Sequence, residues 1–229
     1  MITGQRKGQL RTNPPHRRYG VYAAAVKLLL AIGLLWPIAG EAAQKRLLLL
    51  GDSLTAGYGL PAEDGFAAQL QQALTARGHD VLVLDAGVSG DTSAGGLARL
   101  GWSLADKPTH SVVELGANDA LRGLSPTAME QNLDQILVQL KDAGAHVLLA
   151  GMKAPQNLGV EYQEAFEGAY RRLSAKHDVG LYPFFLEGLP GRRDLILSDG
   201  LHPNAEGVAL IVGNILPAVE TLLKEGDPE

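Results

Sequence analysis

The chain has 229 residues, 46% hydrophobic and 5% aromatic, with no cysteine and a formal net charge of -5. That length buries a substantial core within one globular domain, and the missing cysteines exclude disulfides, a thiol nucleophile and thiolate metal sites. An acidic chain repels polyanions, so nucleic acid and anionic membrane surfaces are not expected as partners.

The first 42 residues read differently from the rest. Arg6, Lys7, Arg11, Arg17 and Arg18 form a basic lead, residues 28–39 are apolar apart from Gly33 and Pro37, and Gly40-Glu41-Ala42-Ala43 supplies small residues for cleavage. This pattern predicts a secretory signal peptide over residues 1–42 and a mature domain over 43–229, periplasmic or secreted. The apolar stretch is short against the roughly 20 residues that span a bilayer, and Lys27 stops its extension, so no lasting membrane span is expected. Arg17-Arg18 makes a poor twin-arginine signal. Residues 1–42 carry six basic residues against Glu41 alone, so the mature domain is at -10.

From there apolar runs alternate with helical patterns. Strands are predicted at 46–50, 81–85, 111–115, 146–151 and 179–183, each short and nearly continuously apolar, as in parallel strands covered on both faces. Helices are predicted at 65–77, 93–104, 127–143, 162–177 and 205–223. In the third, Met129, Leu133, Ile136, Leu137 and Leu140 fall on one face. Gly78 and Gly144 stand where C-terminal caps belong, and Ser125-Pro126 is a start signal. The alternation predicts a three-layer α/β/α sandwich on a parallel sheet.

In such a sheet ligands bind beyond the carboxyl ends of the strands. There the sequence places Gly51-Asp52-Ser53 after the first strand, Gly87 to Thr92 after the second and Gly116-Ala117-Asn118-Asp119 after the third, with Asp199 and His202 at the head of the last helix. A serine hydroxyl needs a base to become a nucleophile, histidine with its ordinary pKa near 6.5 suits that task, and a carboxylate fixes the imidazole tautomer. Ser53, His202 and Asp199 fit these roles. Negative charge developing on an attacked carbonyl oxygen needs donors, for which the N–H groups of Ser53 and Gly90 and the amide of Asn118 are candidates.

Gly-Asp-Ser-Leu at 51–54, the Gly90 loop, Gly-x-Asn-Asp at 116–119 and Asp-x-x-His at 199–202 occur in the order seen in the SGNH, or GDSL, hydrolases, which the chain resembles from residue 45 to 223. It looks most similar to the secreted bacterial acyl-CoA thioesterase I, lysophospholipase and arylesterase group. The resemblance implies a flavodoxin-like five-stranded parallel sheet, a Ser53-Asp199-His202 triad and an oxyanion hole of Ser53, Gly90 and Asn118. It further implies no metal and no cofactor, and an acyl groove edged by Ala120, Leu121, Arg122, Gly123 and Leu124. The expected substrate is a small acyl ester or thioester, lipids included, attacked by a monomer. One position departs from the family: many members have a second glycine where Ala117 stands, and a positive φ there would cost an alanine about 1 kcal/mol.

Taken alone, Ser53 reads as a turn or N-cap residue and His202 as a structural histidine. The phosphate-loop reading of 51–59 lacks Gly-Lys-Ser/Thr, and the α/β-hydrolase elbow lacks its second glycine because Thr55 stands there. His79, His110, His146 and His177 read as surface or strand-edge residues. Arg122 reads as solvated, with an anionic head group as its alternative partner. The rival functions are a flavodoxin-like binding module that catalyses nothing, or carbohydrate deacetylation or acyl transfer by the same triad.

Overall fold

The computed structural model describes residues 1–4, 8 and 44–227. Apart from 1–4 and 8, the residues read as a signal peptide lie outside these. Ala43–Glu229 forms one compact unit. Its strands are β1 (Lys45–Gly51), β2 (Val81–Gly87), β3 (His110–Glu114), β4 (His146–Ala150) and β5 (Gly180–Tyr182). Its helices are α1 (Phe66–Ala76), α2 (Ser93–Leu104), α3 (Ala117–Leu121), α4 (Pro126–Asp142), α5 (Val160–His177) and α6 (Ala205–Leu222).

The sheet is entirely parallel with order β2-β1-β3-β4-β5, the flavodoxin-like arrangement. Its register aligns Gly87, Gly51, Glu114, Ala150 and Tyr182 in one row, so every loop that follows a strand opens on the same rim. The chain reverses direction between β1 and β3, which puts the crevice of the fold at the end of β1. Helices α1 and α6 pack together, and α2, α4 and α5 form the other layer.

Side-chain size and periodicity explain these elements. Leu47 to Leu50 are each at most 1% exposed, as a strand sandwiched between two helical layers requires. Helix α4 buries Met129, Leu133, Ile136, Leu137 and Leu140, the five positions of its apolar stripe, and starts at Pro126 with Ser125 as its cap. Thr92 and Asn204 cap α2 and α6 in the same way. Helix α3 was not foreseen, because five residues are too few for a period of 3.6 to show.

One expectation is corrected here. His110 is buried at the start of β3, with its ring 5.4 Å from that of His146 and its Nδ1 2.8 Å from Thr109 Oγ1. Burial pushes its pKa below the ordinary histidine value. The left-handed residue before Asn118 is Gly116, at φ 119°, and Ala117 opens α3 with ordinary helical geometry. An alanine therefore costs nothing at 117. At Gly116 a Cβ would sit 2.1 Å from Tyr170 Oη.

The packing of α4 sets a stability test. Replacing Leu133, which is fully buried, by alanine should cost about 2–5 kcal/mol in denaturant unfolding, whereas Val138→Ala on the exposed side of the same helix should stay within about 0.5 kcal/mol. Equal losses would contradict the assigned face.

Candidate active site

The chain leaves β1 through a tight turn. Asp52 Oδ1 accepts from Leu54 N–H at 3.0 Å, and the Ala56 and Tyr58 N–H groups bond back to the carbonyls of Asp52 and Ser53 at 3.0 Å each. This is an aspartate-stabilised turn, and it projects Ser53 from the rim. The distant partner loop is equally constrained: Leu197 N–H bonds to His202 O at 2.8 Å, Asn204 N–H bonds to Leu195 O at 2.9 Å, and Ile196 pairs with Pro203. Asn204 then caps α6. A narrow ribbon thus carries Asp199 and His202 over the end of β1.

His202 Nε2 lies 2.9 Å from Ser53 Oγ, and its Nδ1 lies 2.6 Å from Asp199 Oδ2. An ionised carboxylate only accepts, so Nδ1 carries the proton and Nε2 is left to accept from the serine hydroxyl. Asp199 Oδ1 also accepts from the N–H groups of His202 and Leu201 at 3.0 and 2.9 Å. Those backbone donors, with the imidazole, hold its pKa down to about 2. The ring of Tyr58 packs against that of His202, tilted by 35° with centroids 4.4 Å apart.

Asp52 is 1% exposed and divides its carboxylate between the Leu54 N–H and Asn118 Nδ2, the latter at 3.0 Å. The acceptor facing it obliges the Asn118 amide to present its NH2 side and leaves one N–H for the cleft. Burial pushes the Asp52 pKa up to about 6, against the lowering effect of those two bonds. Below it lies Glu114, at 1% exposure, whose Oε2 accepts from Thr55 Oγ1 at 2.8 Å and from Asp52 N–H at 3.3 Å. Burial, then the Asp52 charge, pushes the Glu114 pKa well above the usual carboxylate range.

The N–H groups of Ser53 and Gly90 have no acceptor among the described residues. The loops bearing them are tied together by side chains. Arg99 joins Asp91, at 2.5 Å, to Gly51 O, at 2.9 Å. Asp119 accepts from Ser93 N–H at 2.8 Å and Ser93 Oγ at 2.6 Å, and Asn132 Nδ2 donates to that same hydroxyl. Asp91 is therefore an ion-pair partner, while Thr92 is the cap of α2.

A cleft of about 440 Å³ opens at Ser53 and takes in Gly90, Asn118 and His202. Of the residues expected along its edge, Ala120 and Leu121 line it; Arg122, Gly123 and Leu124 are not among its walls. Sequence reasoning missed Tyr58 and the far wall of Met152, Lys153, Pro155, Phe184 and Leu186. The rule that flagged the other strand-end loops applies equally to the loop after β4, where three of these lie. Lys153 Nζ sits 4.5 Å from the centre of the Phe184 ring. Among the described residues no group of three or more His, Asp or Glu side chains is placed to hold a metal ion.

A nucleophile-base-carboxylate chain beside unpaired N–H donors is an arrangement able to open an acyl bond. Residues 49–210 match the GDSL-like Lipase/Acylhydrolase family. The chain is 43% identical over 184 residues to the Esterase TesA of Pseudomonas aeruginosa, covering 80% of this chain and 92% of that one. It is 42% identical over 171 residues to the Thioesterase 1/protease 1/lysophospholipase L1 of Escherichia coli K12, covering 74% and 81%. The crystal structure of the psychrotrophic esterase EstA from a Pseudoalteromonas species, inhibited by monoethylphosphonate, matches with a TM-score of 0.75 at 35% identity, over 79% of this chain and all of that one. Sequence, sheet order and these likenesses agree: the chain belongs to the GDSL-like lipase/acylhydrolase family.

Proposed function

We propose that the protein is a serine esterase that hydrolyses carboxylic esters and thioesters through an acyl-enzyme on Ser53. The observation that carries this reading is the hydrogen-bonded chain from Ser53 through His202 to Asp199, at 2.9 and 2.6 Å, set at the mouth of an apolar cleft. Ser53 Oγ attacks the acyl carbon while its proton passes to His202 Nε2, and Asp199 stabilises the imidazolium. The oxyanion takes hydrogen bonds from the N–H groups of Ser53 and Gly90 and from Asn118 Nδ2. His202 then protonates the departing alkoxide or thiolate. Water, deprotonated by the same imidazole, attacks the acyl-enzyme; the acyl–Oγ bond breaks, His202 returns the proton to Ser53 Oγ, and the acid is released.

Substrate class follows from the walls. Leu54, Leu121, Met152, Phe184 and Leu186 offer an acyl chain an apolar bed, which favours acyl esters and thioesters, lysophospholipids included, over acetylated sugars. The names of the relatives, an esterase and a thioesterase/lysophospholipase, point the same way. We further propose that residues 1–42 direct export and are removed, leaving an acidic periplasmic or secreted domain. N-terminal sequencing of protein recovered outside the cytoplasm should then begin near Ala43, and an intact Met1 on the exported chain would refute removal.

Ser53→Ala should abolish turnover of an aryl ester and labelling by an alkyl phosphonate, and Asn118→Ala should lower kcat by about a hundred- to a thousandfold while Ser53 remains labelled, if slowly. Phosphonate bound elsewhere than Ser53 would overturn the assignment. A panel of one acyl chain on aryl, thioester, lysophospholipid and sugar leaving groups ranks the substrates.

Asp52 supplies a pH test. Its folded pKa, raised from 3.8 to about 6, means the folded chain binds the extra proton, so this group's contribution to stability declines as pH rises from about 4 through about 6. Asp52→Asn should remove that decline and gain about 2–4 kcal/mol relative to the wild type between pH 4 and pH 7, while losing kcat because an amide cannot accept from both Leu54 and Asn118. Parallel stability profiles of the two proteins would refute the burial argument.

A further inference from the structure

Arg122 had two readings in the sequence, a solvated side chain or a contact for an anionic head group. The structure gives it a third partner: its guanidinium donates to the carbonyl of Gly90 at 2.7 Å. We propose that Arg122 is a positioning residue for the oxyanion hole: by holding the carbonyl of the 90–91 peptide it restrains the torsions of Gly90, which set where the Gly90 N–H on the preceding peptide points.

Three observations lead there. Gly90 sits at φ 85°, and nothing but Arg122 comes within 4 Å of where its side chain would be, the nearest atom being Nη2 at 3.7 Å. Glycine is the residue least able to hold its own torsions, so a donor on a glycine needs an outside restraint before it can act preorganised. The turn supplies one, Asp91 N–H bonding to Val88 O at 3.1 Å, and Arg122 supplies a second on the carbonyl of that same 90–91 peptide; with the peptide held, less freedom is left to the Gly90 torsions that aim its N–H.

Arg122 is itself anchored to the second donor. It is the C-terminal cap of α3, and its backbone N–H bonds to Asn118 O at 3.1 Å. One residue therefore spans from the helix that carries Asn118 to the loop that carries Gly90. The guanidinium suits the task because its charge never titrates away and its fork of donors can hold a carbonyl while the rest stays hydrated. It does so without lining the cleft, so its effect reaches substrate through Gly90.

The inference rests on the esterase reading above, and the two fail separately. Arg122→Met keeps the length of the side chain and removes the donors; Arg122→Lys keeps one charge. With a neutral short-chain aryl ester, Arg122→Met should lower kcat about tenfold, a fraction of what loss of a whole donor does, with KM within about twofold. Phosphonate labelling of Ser53 should slow by a similar factor, and Arg122→Lys should recover part of both rates. Melting temperatures should be little changed, since the bond is exposed. Unchanged kcat and labelling in Arg122→Met would overturn the proposal, as would a loss confined to KM and to anionic esters, the sign of direct substrate contact. If Ser53→Ala retained turnover the esterase reading would fall instead.

Discussion

A single buried carboxylate organises the rim of this sheet. Asp52 shapes the turn that presents Ser53 by accepting from Leu54, and with its other oxygen it selects the face that Asn118 shows to the cleft. The two bonds have different consequences. The first is local and would form in any Asx turn; the second joins β1 to α3 across 66 residues of sequence. Loss of that carboxylate would leave the Ser53 turn and the Asn118 amide without a common reference.

Holding a carboxylate there is unfavourable in itself. Asp52 and Glu114 are both nearly inaccessible and close together, and burial shifts both toward the protonated form. Glu114, pushed up by burial and then by the Asp52 charge, fills the space under the turn and accepts from Thr55 Oγ1 and the Asp52 N–H. One oxygen of Glu114 has no partner among the described residues, a cost tolerated where the turn is held. Asp199 shows the opposite balance: partly open to water and supplied with two backbone donors, it stays ionised far below neutral pH. The carboxylates of Asp52 and Asp199 thus stand in different surroundings, one buried between neutral donors and the other ionised beside the His202 imidazole.

The helical layers make this possible by fixing where the loops emerge. The leucines of β1 are buried between the two layers, α2, α4 and α5 on one face and α1 and α6 on the other, and the in-phase register then delivers the ends of β1, β2 and β3 to one level. What remains is to lock the loops to one another, and polar side chains do it pairwise. Arg99 ties the Gly90 loop to β1, Asp119 ties α3 to the start of α2, and Asp52 ties β1 to α3.

The sequence by itself determined the layers, because strands buried on both faces must be apolar throughout and a helix on a sheet must repeat its leucines, both readable without coordinates. It also determined the cast at the rim, since Ser53, Gly90, Asn118, Asp199 and His202 lie in short runs whose order is legible. Only the tertiary structure decided the partners. Nothing local to Arg122 says that it reaches a carbonyl 32 residues away, nothing in the make-up of 152–155 or 184–186 says which of their side chains face the cleft, and the burial that sets Asp52 and Glu114 apart from Asp199 comes from elements distant in the chain. Periodicity and motif spacing are properties of neighbours in sequence. Desolvation and hydrogen-bond pairing depend on which neighbours folding brings together in space.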